Sequence, residues 1–322
     1  MHRQRRDDRS GRGRHAARGP HGRARPRGLL ARARRPIGVP IASERRRLAS
    51  RGLAPSRARG QNFLRRPELA GRIVSLVGVE PSDAAIEIGP GTGQLTRPLA
   101  RIARRTIALE VDRGLVRLLA EEGELPASVE VREADALATD FPALVRELGA
   151  PVILIGNLPY SVAGRLLGNL LAPAIPFRRM GFMLQAEVAD RLLAAPATPE
   201  YGVLSVWARL WTVSRRVLDL SPEEFSPRPK VRSSFLVLEP RCGGPTVSDP
   251  GLLRRVVRAA FQQRRKQLKR ALRAEFPNAE TALQAAGIDA QRRGETLDEI
   301  EFARLSDVLA AAPPLTDPGA RP

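Results

Sequence analysis

Histidine and cysteine are almost absent from this chain, and their scarcity excludes several kinds of site. The three histidines, His2, His15 and His21, all lie within the first 21 residues. The rest of the chain therefore has no histidine to act as a catalytic base or a metal ligand. A single cysteine, Cys242, excludes an internal disulfide and a metal site built from several cysteines. We accordingly expect no metal ion in the folded part of the protein.

Long apolar runs are also missing, and no segment has the length and hydrophobicity of a membrane span. The 322 residues are enough for one large domain or two ordinary domains with a real core. We therefore expect a folded protein that does not enter a membrane.

Acids and lysine are scarce at the N-terminus. Residues 1–59 contain 19 arginines, no lysine and three acids, a net charge of +16, whereas the remaining 263 residues carry a net charge of only +4. A segment this charged and this poor in large apolar residues does not fold alone, so residues 1–58 are predicted to be disordered. Three interpretations stay open: a basic arm that binds nucleic acid, an organellar transit peptide, and an extension from a wrongly assigned start codon.

The middle of the chain alternates between strand and helix patterns. Apolar runs predict strands at 84–88, 106–109, 129–131 and 152–155. Repeated βα units imply a parallel sheet with right-handed crossovers. A residue suited to ligand binding follows each run: Gly89, Glu110, Asp135 and Asn157. Because the carboxyl ends of parallel strands meet at one edge, these four residues are predicted to line one crevice.

The second half of the chain changes character. Two more buried strands are predicted at 181–184 and 235–238, and residues 203–220 are interpreted as a long or bent strand. The short connection there favours an antiparallel edge to the sheet. Residues 249–310 have only helical patterns, and residues 311–322 form a proline-rich tail that is predicted to be disordered.

A glycine-rich loop, Glu87-Ile88-Gly89-Pro90-Gly91-Thr92-Gly93, follows the first strand. Glycine lets a ligand approach the backbone closely, but this spacing differs from the dinucleotide fingerprint. Glu110 can accept both hydroxyls of a ribose, and Asp135 can accept from an adenine amino group. Together they favour a nucleoside site that suits S-adenosylmethionine better than a nicotinamide cofactor. The alternative is that Glu110 and Asp135 only cap the helices that follow.

The segment Asn157-Leu158-Pro159-Tyr160 is suited to hold a planar base that carries an amino group. Asn157 offers a side-chain acceptor, and Pro159 stiffens the turn and biases Leu158 towards an extended backbone. Tyr160 offers a flat face for stacking. The alternative is a strand end with a turn and an asparagine that is satisfied locally.

Four motifs occur here in combination: Gly60-Gln61-Asn62-Phe63-Leu64, the glycine-rich loop, Asn157-Leu158-Pro159-Tyr160 and Phe225-Ser226-Pro227-Arg228-Pro229-Lys230-Val231. With them the sequence resembles the ribosomal RNA adenine N6-dimethyltransferases, and most of all the KsgA-type branch that acts on small-subunit rRNA. Arg264-Arg265-Lys266 and Glu295-Thr296-Leu297 match that branch too. The resemblance runs from about Arg57 to Leu309, so residues 1–56 are expected to be dispensable for activity.

The resemblance implies an α/β fold with a Rossmann-like methyltransferase domain at 59–241, a mostly parallel sheet with an antiparallel edge, and a small all-helical rRNA-binding domain at 249–310. S-adenosylmethionine is the implied cofactor, and its implied contacts are Asn62, Leu64, Gly89, Glu110, Asp135 and Asn157. The implied contacts of the target base are Asn157, Leu158 and Tyr160. The implied rRNA contacts are Lys230, Arg264, Arg265 and Lys266, of which the last three are predicted to lie on a basic helix.

The implied reaction is N6-dimethylation of two adjacent adenosines in the hairpin loop near the 3′ end of 16S rRNA, within the small ribosomal subunit. A cytoplasmic monomer is expected. Two alternatives remain: a related enzyme that methylates large-subunit rRNA and confers antibiotic resistance, and a non-catalytic RNA-binding assembly factor with the same fold. A DNA adenine methyltransferase is disfavoured, because such enzymes usually have Asp/Asn-Pro-Pro-Tyr where this chain has Asn-Leu-Pro-Tyr.

Overall fold

The computed structural model describes residues 46, 48–56, 59–121, 123, 125–149, 151–172 and 177–311. Most of the predicted disordered extension lies outside these residues, and so does the predicted tail at 311–322 except for Ala311, which ends a helix. Within them, no helix combines the length and the apolar character needed to cross a bilayer.

A seven-stranded sheet forms the centre of the fold, in the order β4-β3-β2-β5-β6-β9-β7. Its strands are β2 (Ala84–Ile88), β3 (Arg105–Glu110), β4 (Val129–Glu133), β5 (Val152–Asn157), β6 (Phe177–Gln185), β7 (Thr212–Leu220) and β9 (Ser233–Pro240). The first five strands of that order are parallel, and β9 and β7 complete the sheet in antiparallel pairing. Two short strands, β1 (Phe63–Leu64) and β8 (Phe225–Ser226), pair separately. The predicted mostly parallel sheet with an antiparallel edge is confirmed.

The central strands β2 and β5 are buried and mostly apolar because helices cover both faces of the sheet. On β5, Val152 and Leu154 belong to one hydrophobic cluster, while Ile153 and Ile155 belong to another. The chain runs outwards from β2 through β3 to β4 and then returns to β5 on the other side of β2. This reversal opens a crevice at the carboxyl ends of β2 and β5, where open α/β sheets bind ligands.

Eleven α-helices occur in the described ranges: α1 (Pro67–Val77), α2 (Thr96–Leu99), α3 (Arg113–Glu121), α4 (Phe141–Leu148), α5 (Ala163–Leu170), α6 (Ala186–Leu193), α7 (Val203–Trp211), α8 (Pro250–Gln262), α9 (Leu268–Leu272), α10 (Ala279–Ala285) and α11 (Glu299–Ala311). Local signals set several of their ends. Asp140 accepts the Ala143 N–H at the start of α4, and Gly149 ends that helix with φ +58°.

The interpretation of residues 203–220 as one strand is wrong for its first half, which forms helix α7. Val203, Val206, Trp207 and Leu210 follow the i, i+3, i+4, i+7 spacing of a helix face, and all but Val203 are buried. Ser205 stabilises the start of the helix, because its hydroxyl accepts the N–H of the capping residue Gly202 at 3.0 Å. Only residues 212–220 continue as the predicted strand.

The C-terminal helices α8 to α11 form the predicted helical region, but their apolar side chains continue the core that lies under the sheet. Leu253 and Phe302 belong to the same cluster as Leu154. Polar contacts also connect this helical region to the rest of the chain. Buried Glu299 on α11 accepts from Arg209 at 2.7 Å and from Arg241 at 3.1 Å. The boundary between the two proposed domains stays a prediction.

The last part of the predicted disordered extension is ordered, so the predicted boundary at residue 58 lies too late. Leu48 is 3% exposed. It packs with Leu53 against Leu115 and Leu118 of α3. The Leu53 N–H donates to the Leu48 carbonyl at 2.9 Å and closes this turn. The composition argument failed here because these two leucines fold onto a helix that follows them in the chain.

We expect deletion of residues 1–45 to leave thermal stability unchanged and deletion of residues 1–56 to lower it. Burial of one leucine contributes about 2 kcal/mol, which corresponds to a fall in melting temperature of roughly 5 °C in a domain of this size. Calorimetry on the full chain and both truncated proteins measures this. Equal melting temperatures for the two truncations would show that the Leu48 contact contributes nothing.

Candidate active site

The four strand-end residues that the sequence singles out lie around one cavity. Gly89, Glu110, Asp135 and Asn157 line a space of about 320 Å³ at the carboxyl ends of β2 to β5. Asn62 also lines it. Leu64 does not line this cavity; it is buried beside a smaller one. The predicted crevice is therefore present, with one of the six predicted cofactor contacts outside it.

Three left-handed glycines shape the loop that follows β2. Gly89, Gly91 and Gly93 have φ angles of +67°, +57° and +83°, a region that costs other residues energy. A Cβ on Gly91 would lie 2.7 Å from the ring of Phe63. The loop therefore needs glycine both for its backbone conformation and for its approach to Phe63.

Glu110 supports the glycine-rich loop. Its Oε2 accepts the Gly91 N–H at 3.1 Å and its Oε1 accepts the Asp112 N–H at 2.9 Å. The side chain is buried, and burial raises the pKa of its carboxyl. The helix that follows is capped by Asp112, whose Oδ1 accepts the Gly114 N–H at 2.9 Å. The alternative that Glu110 caps this helix is therefore wrong.

Asp135 has a similar position at the end of β4. Its Oδ1 accepts the Leu137 N–H at 2.8 Å, and its other oxygen has no partner among the described residues. Asp140, and not Asp135, caps α4. An acceptor is thus left at the cavity wall beside Ala136.

Asn157 is held in a defined orientation. Its Nδ2 donates to the Asn62 carbonyl at 2.7 Å, while Oδ1 has no partner within the described part of the chain. Asn62 itself donates from Nδ2 to the Gly60 carbonyl at 3.0 Å. The motif at 60–64 therefore fixes the amide, and the acceptor oxygen of Asn157 remains available to a ligand.

The residues that follow Asn157 form a fixed turn. The Leu158 side chain is buried, and its N–H donates to the Met183 carbonyl at 3.2 Å. Tyr160 is half-buried, and its hydroxyl lies 3.1 Å from the Ser233 hydroxyl on β9. Burial raises the pKa of Tyr160. One polar contact therefore anchors the ring at its hydroxyl end.

A polar network that sequence reasoning missed closes one side of the cavity. Asp112 forms an ion pair with Arg59 and accepts from Gln61 Nε2 at 3.2 Å. Gln61 Oε1 accepts the Ser56 N–H at 2.7 Å. The ordered segment at 48–56 is thereby linked to the loop that follows Glu110. The only sequence signal was an acid two residues after Glu110.

Two further side chains at the cavity were also missed. Val111 follows Glu110 directly and is 55% exposed although it is apolar. Arg165, in the first turn of α5, lines the cavity and has no hydrogen bond or ion pair within the described ranges. An exposed apolar side chain and an unpaired cation at one cavity are both suited to contact a ligand.

Glu87 lies beneath the glycine-rich loop in an unusual environment. It is 1% exposed, and burial raises the pKa of its carboxyl to about 8. A cavity of about 20 Å³ adjoins it and is also lined by Thr92, Gln94 and Asn157. Glu87 Oε2 and Thr92 Oγ1 have no hydrogen-bond partner among the described residues. The space suits one water molecule.

We expect Glu87 to make folding stability depend on pH. Because its pKa is raised on folding, the native state keeps a proton that the unfolded chain loses, so the free energy of unfolding falls as pH rises from about 4.5 to about 8. The slope from one such group approaches 1.4 kcal/mol per pH unit. Glu87→Gln removes the titrating carboxyl. The free energy of unfolding of this variant, relative to that of wild type, should therefore rise over that pH window. Denaturant titrations at pH 5, 6, 7 and 8 measure this difference, and a constant difference would contradict the assignment.

The predicted rRNA contacts lie away from the cavity, and three of them are not on a helix. Arg264, Arg265 and Lys266 occupy the turn between α8 and α9, so the predicted basic helix is wrong there. Gln263 ends α8 and Gln267 forms an isolated β-bridge, which interrupts the helical pattern. Arg264 is ion-paired with Glu295 and donates to the Thr198 carbonyl at 3.0 Å.

The other predicted rRNA contacts are accessible. Arg265, Lys266 and Lys230 are exposed, and their side chains make no hydrogen bond or ion pair inside the described ranges. Three or more potential metal ligands do not come together anywhere in those ranges.

Two solved structures share this fold. A dimethyladenosine transferase from Plasmodium falciparum superposes with a TM-score of 0.62 at 23% sequence identity, covering 76% of this chain and 95% of the other. The 23S rRNA methyltransferase ErmE superposes with a TM-score of 0.57 at 26% identity, covering 77% of this chain and 100% of the other.

Sequence relatives share more residues. The ribosomal RNA small subunit methyltransferase A of Magnetococcus marinus is 41% identical over 264 residues, which are 81% of this chain and 94% of the relative. The protein of the same name from Agrobacterium fabrum is 43% identical over 263 residues, 80% of this chain and 94% of the relative. The family model described as ribosomal RNA adenine dimethylase matches residues 56–311. The chain therefore belongs to the ribosomal RNA adenine dimethylase family.

Proposed function

We propose that this protein transfers methyl groups from S-adenosylmethionine to N6 of two adjacent adenosines in the 3′-terminal hairpin loop of 16S rRNA, within the small ribosomal subunit. The observation that carries the proposal is the Asn157 amide. The Asn62 carbonyl orients it, and its acceptor oxygen is available at the cavity that Glu110 and Asp135 also line. An amino group on a planar base fits that arrangement.

The residues present fit the cofactor. Gly89 lines the cavity and has no side chain, so the loop backbone can approach a ligand closely there. Glu110 keeps lone pairs for the two ribose hydroxyls after accepting from Gly91 and Asp112. Asp135 has an oxygen left for an adenine amino group, and Val111 provides an apolar surface beside it. When bound, S-adenosylmethionine supplies an activated methyl group.

The protein then has to align the nucleophile. Adenine N6 is a weak nucleophile because its lone pair is delocalised into the ring. A hydrogen bond from N6–H to Asn157 Oδ1 favours a pyramidal nitrogen and offsets the positive charge that develops there. N6 gains the methyl group and loses a proton to solvent. Alignment and electrostatics are enough for this step, and the cavity has no histidine to serve as a base.

The target base must leave its stack to reach the cavity. Unpaired RNA loops permit this at lower cost than duplex RNA. Tyr160 lies in the chain between Pro159 and Ser161, which line the cavity, and we assign its ring to stack on the base, an interaction worth on the order of 1–3 kcal/mol. Arg165 lines the cavity without a hydrogen bond or ion pair to any described residue, and we assign it to neutralise a phosphate of the same strand.

Sequence similarity favours the small subunit as the substrate. The relative at 41% identity is named for the small ribosomal subunit, whereas the large-subunit enzyme ErmE is 26% identical. A non-catalytic assembly factor would have no need for an oriented Asn157 acceptor beside two cofactor acids. The proposal includes action in the cytoplasm, as a monomer.

The surface that holds rRNA is proposed to include Lys230, Arg265 and Lys266. We expect Arg265→Ala with Lys266→Ala to weaken small-subunit binding. The slope of log affinity against log salt concentration should also become less steep by about two, because about two phosphate contacts are lost. Arg264→Ala should instead lower the melting temperature, because it removes the ion pair with Glu295 and the hydrogen bond to the Thr198 carbonyl.

Filter binding at several salt concentrations and calorimetry separate these two roles. Arg215→Ala is a suitable control, since Arg215 is an exposed cation on β7 that faces Glu239. An unchanged salt slope for the double variant would contradict the assignment of Arg265 and Lys266.

A direct test of the function uses purified protein, labelled S-adenosylmethionine and ribosomal subunits from a strain whose rRNA lacks these methyl groups. We expect four methyl groups per small subunit and none on the large subunit. Label on the large subunit would favour the resistance-type enzyme. No label on either subunit would favour the assembly factor.

A further inference from the structure

A second cavity lies outside the candidate active site. It has a volume of about 470 Å³ and lies between α5, α6, α7 and the end of α8. Its lining includes Gly164, Leu204, Phe261 and Arg264 and shares no residue with the 320 Å³ cavity. The first turn of α5 separates the two, since Gly164 lines the second cavity and Arg165 lines the first.

The apolar side chains that line this cavity are suited to contact a flat ring. Val188, Val203, Leu204 and Phe261 are apolar, yet each remains partly exposed. The Phe261 ring is fixed between two other rings, with centroids 5.9 Å from Tyr201 and 6.0 Å from Phe302. Fixed aromatic and apolar faces of this kind stack unpaired nucleobases.

Long-range contacts hold the wall of this cavity in place. Ala197 has a φ of +66°, the one positive φ outside glycine in the described residues. Its N–H donates to the Glu295 carbonyl at 2.8 Å. The next residue, Thr198, accepts from Arg264, and the Tyr201 hydroxyl donates to the Leu297 carbonyl at 2.9 Å. Strained backbone that is held by several contacts is common at binding sites.

The position of the cavity suits RNA. Gly164 and Arg165 are neighbours on α5 and line the second and the first cavity respectively, so the second cavity adjoins the proposed place of the target base. Arg264 lines it, and Arg265 and Lys266, which are exposed and pair with no described residue, follow in the same turn. These cations are suited to hold the phosphates of a strand whose base enters the cavity.

We propose that this cavity binds an unpaired nucleobase of the RNA substrate, close in the strand to the adenosine being methylated. The inference rests on the proposed function, since it requires an RNA strand in the active site. In this proposal the residues of the turn at 264–266 have different roles. Arg264 holds the cavity wall, and Arg265 and Lys266 contact the phosphates.

Two glycines of α5 provide a matched pair of variants. A Cβ on Gly164 or on Gly168 would have no other atom within 4 Å, and only Gly164 lines the cavity. Both substitutions to leucine improve helix propensity. We expect Gly164→Leu to raise the KM for small subunits at least tenfold, with unchanged melting temperature and affinity for S-adenosylmethionine. Gly168→Leu should behave as wild type. Equal KM values for the two variants would overturn the proposal.

Ultraviolet cross-linking to small subunits, followed by peptide mass spectrometry, gives a second measurement that needs no methyl transfer. We expect a nucleotide attached to the peptide that contains Phe261 in wild type and Gly168→Leu, and its loss in Gly164→Leu. Cross-links found only outside the cavity in wild type would also overturn the proposal. A cross-link at Phe261 in a protein that transfers no methyl groups would instead show that the proposed function is wrong while the cavity binds RNA.

Discussion

Asn157→Ala should lower the single-turnover rate of methyl transfer at least about a hundredfold, with S-adenosylmethionine and subunits both saturating. The variant removes the acceptor oxygen that faces N6–H, and loss of one preorganised contact to a transition state costs about that much. Subunit binding should persist, because the exposed cations are untouched. Affinity for the cofactor falls less than the rate, since Glu110 and Asp135 remain.

The control for this experiment is Asn169→Ala, which changes an exposed asparagine on α5 that lines neither cavity. Asn157→Asp is a poor choice, because a new negative charge beside a sulfonium strengthens the ground state as well as the transition state. A rate for Asn157→Ala close to wild type would show that the turn at 157–160 is only structural.

Glu110→Ala should raise the Kd for S-adenosylmethionine by about a hundredfold or more. The change removes the acceptor for the ribose hydroxyls and leaves the buried Gly91 N–H without its partner. Hydrogen bonds to a charged group contribute about 1.5–3 kcal/mol each, and the carboxylate can offer one to each of the two ribose hydroxyls. Glu110→Gln keeps one acceptor oxygen, so its Kd should lie between those of wild type and Glu110→Ala.

Isothermal titration calorimetry measures these affinities. Glu133→Ala is the matched control, because Glu133 is an exposed acid on β4 that pairs with Arg113. A folded Glu110→Ala protein whose Kd lies within about threefold of wild type would contradict the assignment of Glu110 to the cofactor.

The crevice was predictable because its residues follow from local patterns. Each of Gly89, Glu110, Asp135 and Asn157 lies at the carboxyl end of a strand or in the turn that follows it, and parallel strands bring these ends to one edge. Their mutual arrangement did not require knowledge of distant contacts. The same reasoning could not show that the Asn62 carbonyl orients Asn157, since these residues are 95 positions apart.

The features that sequence reasoning missed depend on contacts between distant parts of the chain. Arg264 looked like one more RNA-binding cation, but its partners Glu295 and Thr198 lie 31 and 66 positions away. Leu48 looked like part of a disordered arm, yet it packs on α3. Residues 203–211 fit both a strand and a helix as a short apolar run, and burial against α8 and α11 decides for the helix.

The most direct test of the proposed function is mass-spectrometric mapping of methylated adenosines in rRNA from a strain that lacks this gene. Two adjacent adenosines in the 3′-terminal hairpin loop of 16S rRNA should be unmethylated in that strain. They should be dimethylated again when the wild-type gene is restored, but not when the gene for Asn157→Ala is supplied. Full dimethylation of both adenosines in the deletion strain, or loss of methyl groups from large-subunit rRNA instead, would contradict the proposed function.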